Sequence, residues 1–501
     1  MSRPHGLSKS RYIAGLQCHK QLWWRVHEPT SPELVPDASL QHVFDAGAHV
    51  GEVARGYVPG GVLIDLPHGD YKGKVAETQR AMKAGASAIY EASFIADQVF
   101  VAVDILVRER HGWRVIEVKS TTSLKDQHLP DAAIQVHALR KAGLRVAGVE
   151  VMVLNRACTY PDLSNLFTRH DVTTEVEAMQ GGIPAEVRSQ LSMLAGPLPD
   201  VPIGPHCSEP YDCPFAARCW PVLPPHHVST LYRAKRRAQE FEAQGYVTIH
   251  DLPDGLGLNA QAERQRRAVQ AGRMIVEGDL GKALEPFQSP LAFLDFETVQ
   301  FAIPIWDGCH PFDQIPAQFS CHRERSGGGR DHSEWVPDTP GDPRVEIASR
   351  VVEACAGART VVAYNAGFEK GCLEALANAC PGHAVALRDI IARLADPLPV
   401  VREHVYHPDF EGSFSLKSIL PALVPDLGYD DLAIAEGDSA SRELTRLVVG
   451  DATLLPAERA LKREQLLRYC ERDTLAMVRV LSTLRELAVI EREEVLPDLS
   501  H

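Results

Sequence analysis

No apolar stretch among the 501 residues approaches the roughly 18–20 consecutive residues needed to cross a bilayer. The opening Met1-Ser2-Arg3-Pro4-His5 has no apolar core of the signal-peptide kind. Both absences lead to the expectation of a soluble, cytoplasmic chain with no membrane partner. Self-similarity at a period of about 20–50 residues is also missing, which argues against solenoids and propellers. Positive charge is in deficit: Lys and Arg total 52 against 66 Asp and Glu, giving a formal net charge of −14. On average such a surface repels a polyanion, although the total says nothing about where the carboxylates sit. The 11 cysteines are odd in number and follow no secretion signal. A disulfide framework is therefore not expected, and metal or cluster binding becomes the question they raise.

The remaining composition, 45% hydrophobic and 24% charged, is that of a globular chain, and its length suggests two to four domains at about 100–200 residues each. A proline-rich stretch from Gly196 to Pro225 closes a first region, 1–228. Residues 229–287 then form a basic helical connector, with eight Lys/Arg against five acids between 231 and 275. That local inversion of sign suggests a phosphate-facing surface, although a charge run on a helix is more often a solvated face. The third region, 288–501, alternates strand-like and helix-like segments. Strands interleaved with helices in both large regions predict an α/β architecture.

Two groups of residues carry chemistry. In the first region the apolar run Gln98 to Val107 holds one acid, Asp104. A turn at His111-Gly112 leads to Trp113-Arg114-Val115-Ile116-Glu117-Val118-Lys119. This is a β-hairpin pattern in which Glu117 and Lys119 share a face and Asp104 joins them from the partner strand. Two carboxylates offer hard oxygen ligands to Mg2+, with a cation beside them. A surface salt bridge is the plainer reading of a lone Glu-x-Lys. Here the flanking residues are apolar, and a helix follows that carries Gln135.

This combination resembles the PD-(D/E)XK nuclease superfamily, in particular its RecB-like branch. The resemblance implies a restriction-endonuclease-like domain with Asp104, Glu117 and Lys119 as catalytic core, Gln135 as an accessory, and His49 as an upstream metal ligand with Glu52 close by. Where the family carries tyrosine four residues after the glutamine, this chain has Leu139.

Cys207, Cys213 and Cys219 fall at intervals of six, and Cys18 lies far upstream. Structural zinc prefers tighter Cys-x-x-Cys knuckles, whereas iron–sulfur clusters accept wider spacing and a remote ligand. One cysteine before the nuclease core and three after it resembles the iron–sulfur nucleases of CRISPR adaptation and recombination repair. By that resemblance Cys18, Cys207, Cys213 and Cys219 hold a [4Fe-4S] cluster as an iron–sulfur clasp. Zinc is the alternative, and His19 or His206 could replace a thiol. The other seven cysteines read as small buried hydrophobes.

In the third region Asp295 and Glu297 stand two apart on an apolar strand, Phe293-Leu294-Asp295-Phe296-Glu297. Like charges on one buried face are costly without a cation, so a paired-metal site is the economical explanation. Thr360 to Glu369 reads as a strand entering a helix that begins with an acid, and Tyr469 and Asp473 occupy i and i+4 of a later helix. The order resembles the DEDD exonucleases of the DnaQ-like, RNase H fold superfamily, in the subclass with tyrosine (DEDDy). It implies that Asp295, Glu297, Glu369 and Asp473 hold Mg2+ or Mn2+ and that Tyr469 orients the attacking water. Glu369 is one methylene longer than the family's aspartate, with Asp396 as the other candidate. Lys417, in a polar and aromatic loop, could meet a phosphate.

The expectation is thus a metal-dependent nuclease in which an iron–sulfur RecB-like domain is joined to a DEDDy 3'-5' exonuclease. It would act on DNA in repair, recombination or defence. RNA as substrate, or a nucleic-acid-binding scaffold with one inert site, are the alternatives.

Overall fold

The computed structural model describes residues 6–325 and 328–495; the N-terminal pentapeptide lies outside them. The architecture is α/β, divided into two compact units: Met1–Pro221 with Phe301–Asp313, and Val222–Gln300 with Gln314–His501. No helix among the described residues is long and apolar enough to cross a membrane.

The first unit is built on a seven-stranded sheet of β1 (Leu7–Ser8), β2 (Val62–Leu63), β3 (Ala88–Ala96), β4 (Val99–Glu109), β5 (Gly112–Lys119), β6 (Val146–Leu154) and β7 (Phe167–Asp171). Its order is β2-β3-β4-β5-β6-β7, with β1 pairing β4. Helices α1 (Lys9–Gln17), α2 (His19–His27), α3 (Ala38–Gly56) and α4 (His128–Lys141) belong to this unit. β4 and β5 form the expected antiparallel hairpin, and β5 runs parallel to β6 through the crossover helix α4. Val101, Val103, Val115, Val149 and Val151 bury one sheet face against Ala132, Ile134, Val136 and Leu139. Leu139, at the position where the resembled family has tyrosine, is thus a core residue.

The second unit contains a five-stranded sheet of β8 (Leu291–Val299), β9 (Ile315–Glu324), β10 (Arg330–Trp335), β11 (Thr360–Val362) and β12 (Leu394–Ala395), in the order β10-β9-β8-β11-β12. β9 runs antiparallel to both of its neighbours, β10 and β8, while β11 runs parallel to both β8 and β12. Its principal helices are α5 (Lys235–Ala243), α6 (Ala260–Ala271), α7 (Gly367–Ala379), α8 (Pro397–His404), α9 (Leu416–Leu423) and α10 (Pro456–Val495).

Residues 229–287, read above as a connector, pack into this unit: Leu231, Phe241, Ile249, Ala262 and Val269 form one buried cluster with Val228. The phosphate-facing reading of its arginines is corrected at two positions. Arg264 is buried, donating to Glu277 at 2.6 Å and to the carbonyls of Arg402 and Glu403 at 2.9 and 2.6 Å. Arg266 is buried as well and donates to Glu263 at 2.6 Å and to Asp254. These guanidiniums fasten the unit internally: Glu263 lies one turn from Arg266 on α6, and Asp254 and Glu277 come from the segments flanking the helix.

Candidate functional site

The antiparallel register that pairs Ile105 with Ile116 brings Asp104 opposite Glu117 at the next step along the hairpin. The ladder stops there because Asp104 Oδ2 accepts from the Val118 amide at 2.7 Å. Glu117 is only 1% exposed and its two oxygens are fully engaged. Oε1 accepts from Lys9 Nζ at 2.8 Å and from Lys119 Nζ at 2.9 Å, and Oε2 accepts from Gln135 Nε2 at 2.6 Å. Lys119 also donates to Asp131, one turn before Gln135 on α4. Burial raises Glu117, but the Lys9 and Lys119 ammoniums outweigh it and hold the carboxyl well below the usual range. Asp104 is pushed up to about 7 by burial and by the Glu117 charge.

Two residues here escaped sequence reasoning. Lys9 sits 108 residues before Glu117, and Asp131 lies on the same helix as Gln135 without being singled out from the sequence. The Asp131–Gln135 spacing of one helical turn was the available signal for the latter. His49, by contrast, is exposed on α3, its Nδ1 at 3.9 Å from Glu52. It does not join Asp104 and Glu117 in a group of three ligand atoms within 4.8 Å; among the described residues only two such groups occur, both in the second unit.

The four cysteines converge. Cys18 lies between α1 and α2, and with Cys207, Cys213 and Cys219 it lines one small cleft that also includes His206. Burial pushes the Cys213 thiol up, and Cys18 and Cys207 add to it; the same holds for Cys219, where Lys20 acts in the opposite sense. No three of these sulfurs fall within 4.8 Å of one another. His19 faces Glu186 at 3.5 Å, and His206 Nε2 lies 3.8 Å from Cys207 Sγ. The other seven cysteines are buried.

In the second unit, strand alternation on β8 puts Asp295 and Glu297 on one face, and the long helix α10 brings Asp473 to them. Ligand oxygens of the three lie within 4.8 Å of one another. Burial, then the neighbouring carboxylates, raise Asp295 well above its ordinary value. Glu297 is pushed up to about 8 by burial and Asp473, against the pull of Lys417. Glu369, in the first turn of α7, is buried at 4% exposure and its Oε2 has no hydrogen-bond partner. Burial, helped by Asp396 and Asp473, pushes it up to about 8. It lies outside the three-residue group. Asp396 is spent on backbone: it accepts from the amides of Asn365, Ala366 and Leu398 at 2.9, 3.1 and 2.9 Å, capping α8 and fixing the turn into α7.

Around the carboxylates, Lys417 Nζ donates to Tyr469 Oη at 3.2 Å and lies 5.1 Å from the centroids of both the Tyr469 and Tyr429 rings. Tyr429 Oη donates to Asp473 at 2.5 Å; it was not singled out from the sequence. Cys470 Sγ donates to Asp295 Oδ2 at 3.3 Å. A cleft of about 530 Å³ opens beside the cluster, lined by Asp295, Asp473, Lys417, Arg233, Arg402 and three aromatic rings, Tyr232, Tyr364 and Phe414.

Formal charge separates the two centres. In the first, two ammoniums (Lys9, Lys119) face three carboxylates (Asp104, Glu117, Asp131). In the second, one ammonium faces four. Only the second leaves buried negative charge largely uncompensated, which is the condition a bound divalent ion relieves.

A family model described as a domain of unknown function (DUF2779) matches residues 292–415. The match spans Asp295, Glu297 and Glu369 and stops short of Lys417, Tyr469 and Asp473. No curated protein matches the chain.

Proposed function

We propose that the chain is a metal-dependent nuclease whose working centre is the Asp295–Glu297–Asp473 cluster, trimming 3' ends of nucleic acid. DNA is the preferred substrate, and repair, recombination or defence is the setting. The observation that carries this reading is the convergence of three carboxylates, with Glu369 behind them, beside a cleft whose walls are aromatic and cationic.

Three antiparallel strands followed by two parallel ones support an RNase H-like, DEDDy assignment of the second unit. The hairpin and crossover helix support a PD-(D/E)XK, RecB-like assignment of the first. The residues present fit Mg2+ or Mn2+, since the donors are hard carboxylate oxygens and one of them, Glu369 Oε2, is buried without a partner. Asp295, Glu297 and Asp473 would hold the ions, with Glu369 as a further ligand. Bound ions would supply stabilisation of the charge that develops on the phosphodiester and a more acidic water.

The chain's own side chains do the rest. Tyr429 fixes the orientation of Asp473, and Lys417 fixes that of Tyr469, which the DEDDy resemblance assigns to positioning the attacking water. The Lys417 ammonium also offsets phosphate charge. Tyr232 and Tyr364, both partly exposed, offer surfaces on which bases stack, at about 1–3 kcal/mol each. Arg233 and Arg402 would meet backbone phosphates.

The charge-compensated centre around Glu117 serves better for gripping a strand than for cutting it, since a cation gains less there. The four cysteines are assigned a [4Fe-4S] cluster. Tetrahedral zinc would draw the sulfurs to about 3.8 Å from one another, whereas no three of them lie within 4.8 Å, and a cubane spreads its thiolate ligands over four iron corners.

The test is to incubate anaerobically purified protein with 5'-labelled single-stranded DNA and RNA and Mg2+ or Mn2+. The expected product is a ladder shortening from the 3' end, faster on DNA. Faster shortening of RNA would replace the substrate, and binding without cleavage of either would favour a nucleic-acid-binding scaffold.

A further inference from the structure

A second group of three potential metal ligands lies on the same unit: His322, His332 and Glu471 each present one ligand atom, all within 4.8 Å of one another. His322 on β9 and His332 on β10 are register partners in the antiparallel pair. Their rings stack at 4.4 Å between centroids. Glu471 comes from α10 and approaches His332 Nδ1 to 3.7 Å. His322 is buried, while His332 and Glu471 reach solvent.

The hydrogen bonds behind the two rings admit an assignment that leaves one nitrogen of each ring open to a metal. Thr474 Oγ1 has one proton and a backbone acceptor, the Glu471 carbonyl at 3.0 Å. With that proton committed, Thr474 Oγ1 accepts from His322 Nδ1 at 2.8 Å and from Ser320 Oγ at 2.8 Å. Ser320 Oγ in turn accepts from His332 Nε2 at 2.9 Å. Every donor then has an acceptor, and the nitrogens left with free lone pairs are His322 Nε2 and His332 Nδ1. Imidazole ligands of metals are ordinarily held this way, with the second nitrogen tied to a hydrogen-bond partner that sets the tautomer and the ring orientation.

We infer that His322, His332 and Glu471 form a binding site for a divalent transition metal of the zinc class, separate from the all-carboxylate cluster at Asp295. Two borderline imidazole nitrogens beside one carboxylate suit Zn2+ over Mg2+. Three protein ligands leave a fourth position to water. Tetrahedral coordination at about 2.1 Å sets the ligand atoms about 3.4 Å apart, a closure that rotation of the solvent-reaching His332 and Glu471 side chains supplies. Because Glu471 lies between Tyr469 and Asp473 on α10, occupancy would also fasten that helix to the β9–β10 hairpin.

The experiment is zinc titration of the chelator-treated full chain in excess Mg2+, followed by desalting and measurement of zinc per chain. It is run on the wild type, His332→Gln and Glu471→Gln in parallel. Zinc taken up by the cysteines is common to all three and cancels. The wild type is expected to retain one equivalent more than either variant and to gain thermal stability from zinc that the variants do not. Both substituted side chains reach solvent, and circular dichroism checks that each variant is folded. Equal zinc content in the wild type and either folded variant overturns the inference. The outcome is independent of whether the Asp295 cluster cleaves anything.

Discussion

Replacing Glu369 by glutamine isolates the cost of the charge gathered at the second centre. In the metal-free chain Glu369 is raised by burial from 4.5 to about 8. A carboxyl whose folded pKa is raised binds its proton more tightly when folded, so stability is full below about 4.5 and falls as pH climbs through about 8. At about 1.4 kcal/mol per unit, the penalty above pH 8 reaches at most about 5 kcal/mol. A buried carboxamide lacking an acceptor takes back about 1–3 kcal/mol. Glu369→Gln should therefore stabilise the chelator-treated chain by about 2–4 kcal/mol at pH 8.5; the gain should cross zero between about pH 5 and 7 and become a loss of about 1–3 kcal/mol near pH 4.5. Because Glu369 also raises Glu297, the variant should further flatten the pH dependence. The assay is chemical denaturation at several pH values with chelator present. A variant as stable as the wild type at pH 8.5, or one with the same slope, would refute the claim that uncompensated charge is buried there. With Mg2+ the difference should narrow, since an ion at 100 times its Kd adds about 2.7 kcal/mol to the chain that holds it and the wild type keeps Glu369 as a further ligand.

Lys9→Met should destabilise the chain by about 2–4 kcal/mol at pH 7, because it removes one of two ammoniums from a buried carboxylate. Glu117 is held below its ordinary 4.5, so the stability that Lys9 contributes is present above that value and is lost as pH falls; the difference between variant and wild type should shrink in acid denaturation. Lys417→Met should lower kcat on DNA by about 10–100-fold, by freeing Tyr469 and removing a phosphate-facing charge; steady-state kinetics on a labelled strand reads this out, and an unchanged kcat would remove Lys417 from the mechanism. Cys219→Ser, purified without oxygen, should lose the broad visible absorbance and most of the iron of the wild type, whereas a colourless, zinc-loaded wild type would eliminate the cluster.

What could be read from the sequence was local. Asp295 and Glu297 are legible because strand alternation fixes two residues to one face, and Tyr469 and Asp473 because a helix does the same at i and i+4. Asp104, Glu117 and Gln135 were found through a hairpin and the helix that follows it. Lys9 and Tyr429 were missed because only tertiary packing brings them to Glu117 and Asp473, from 108 and 44 residues away. The basic character of 231–275 misled for the opposite reason. Its charges were counted without Glu277, which lies just outside that window and pairs with both Arg264 and Arg267. Asp396 drew notice as a carboxylate near the second motif. Its work is a helix cap, which a residue preceding Pro397 at a helix start could have signalled.

The most direct test of the central claim is the rate of shortening of a 5'-labelled single strand with Mg2+ by Asp295→Ala and Lys119→Ala, measured beside the wild type. Loss of shortening in Asp295→Ala, with near wild-type rates in Lys119→Ala, is the predicted result. Full activity in a folded Asp295→Ala chain would contradict it.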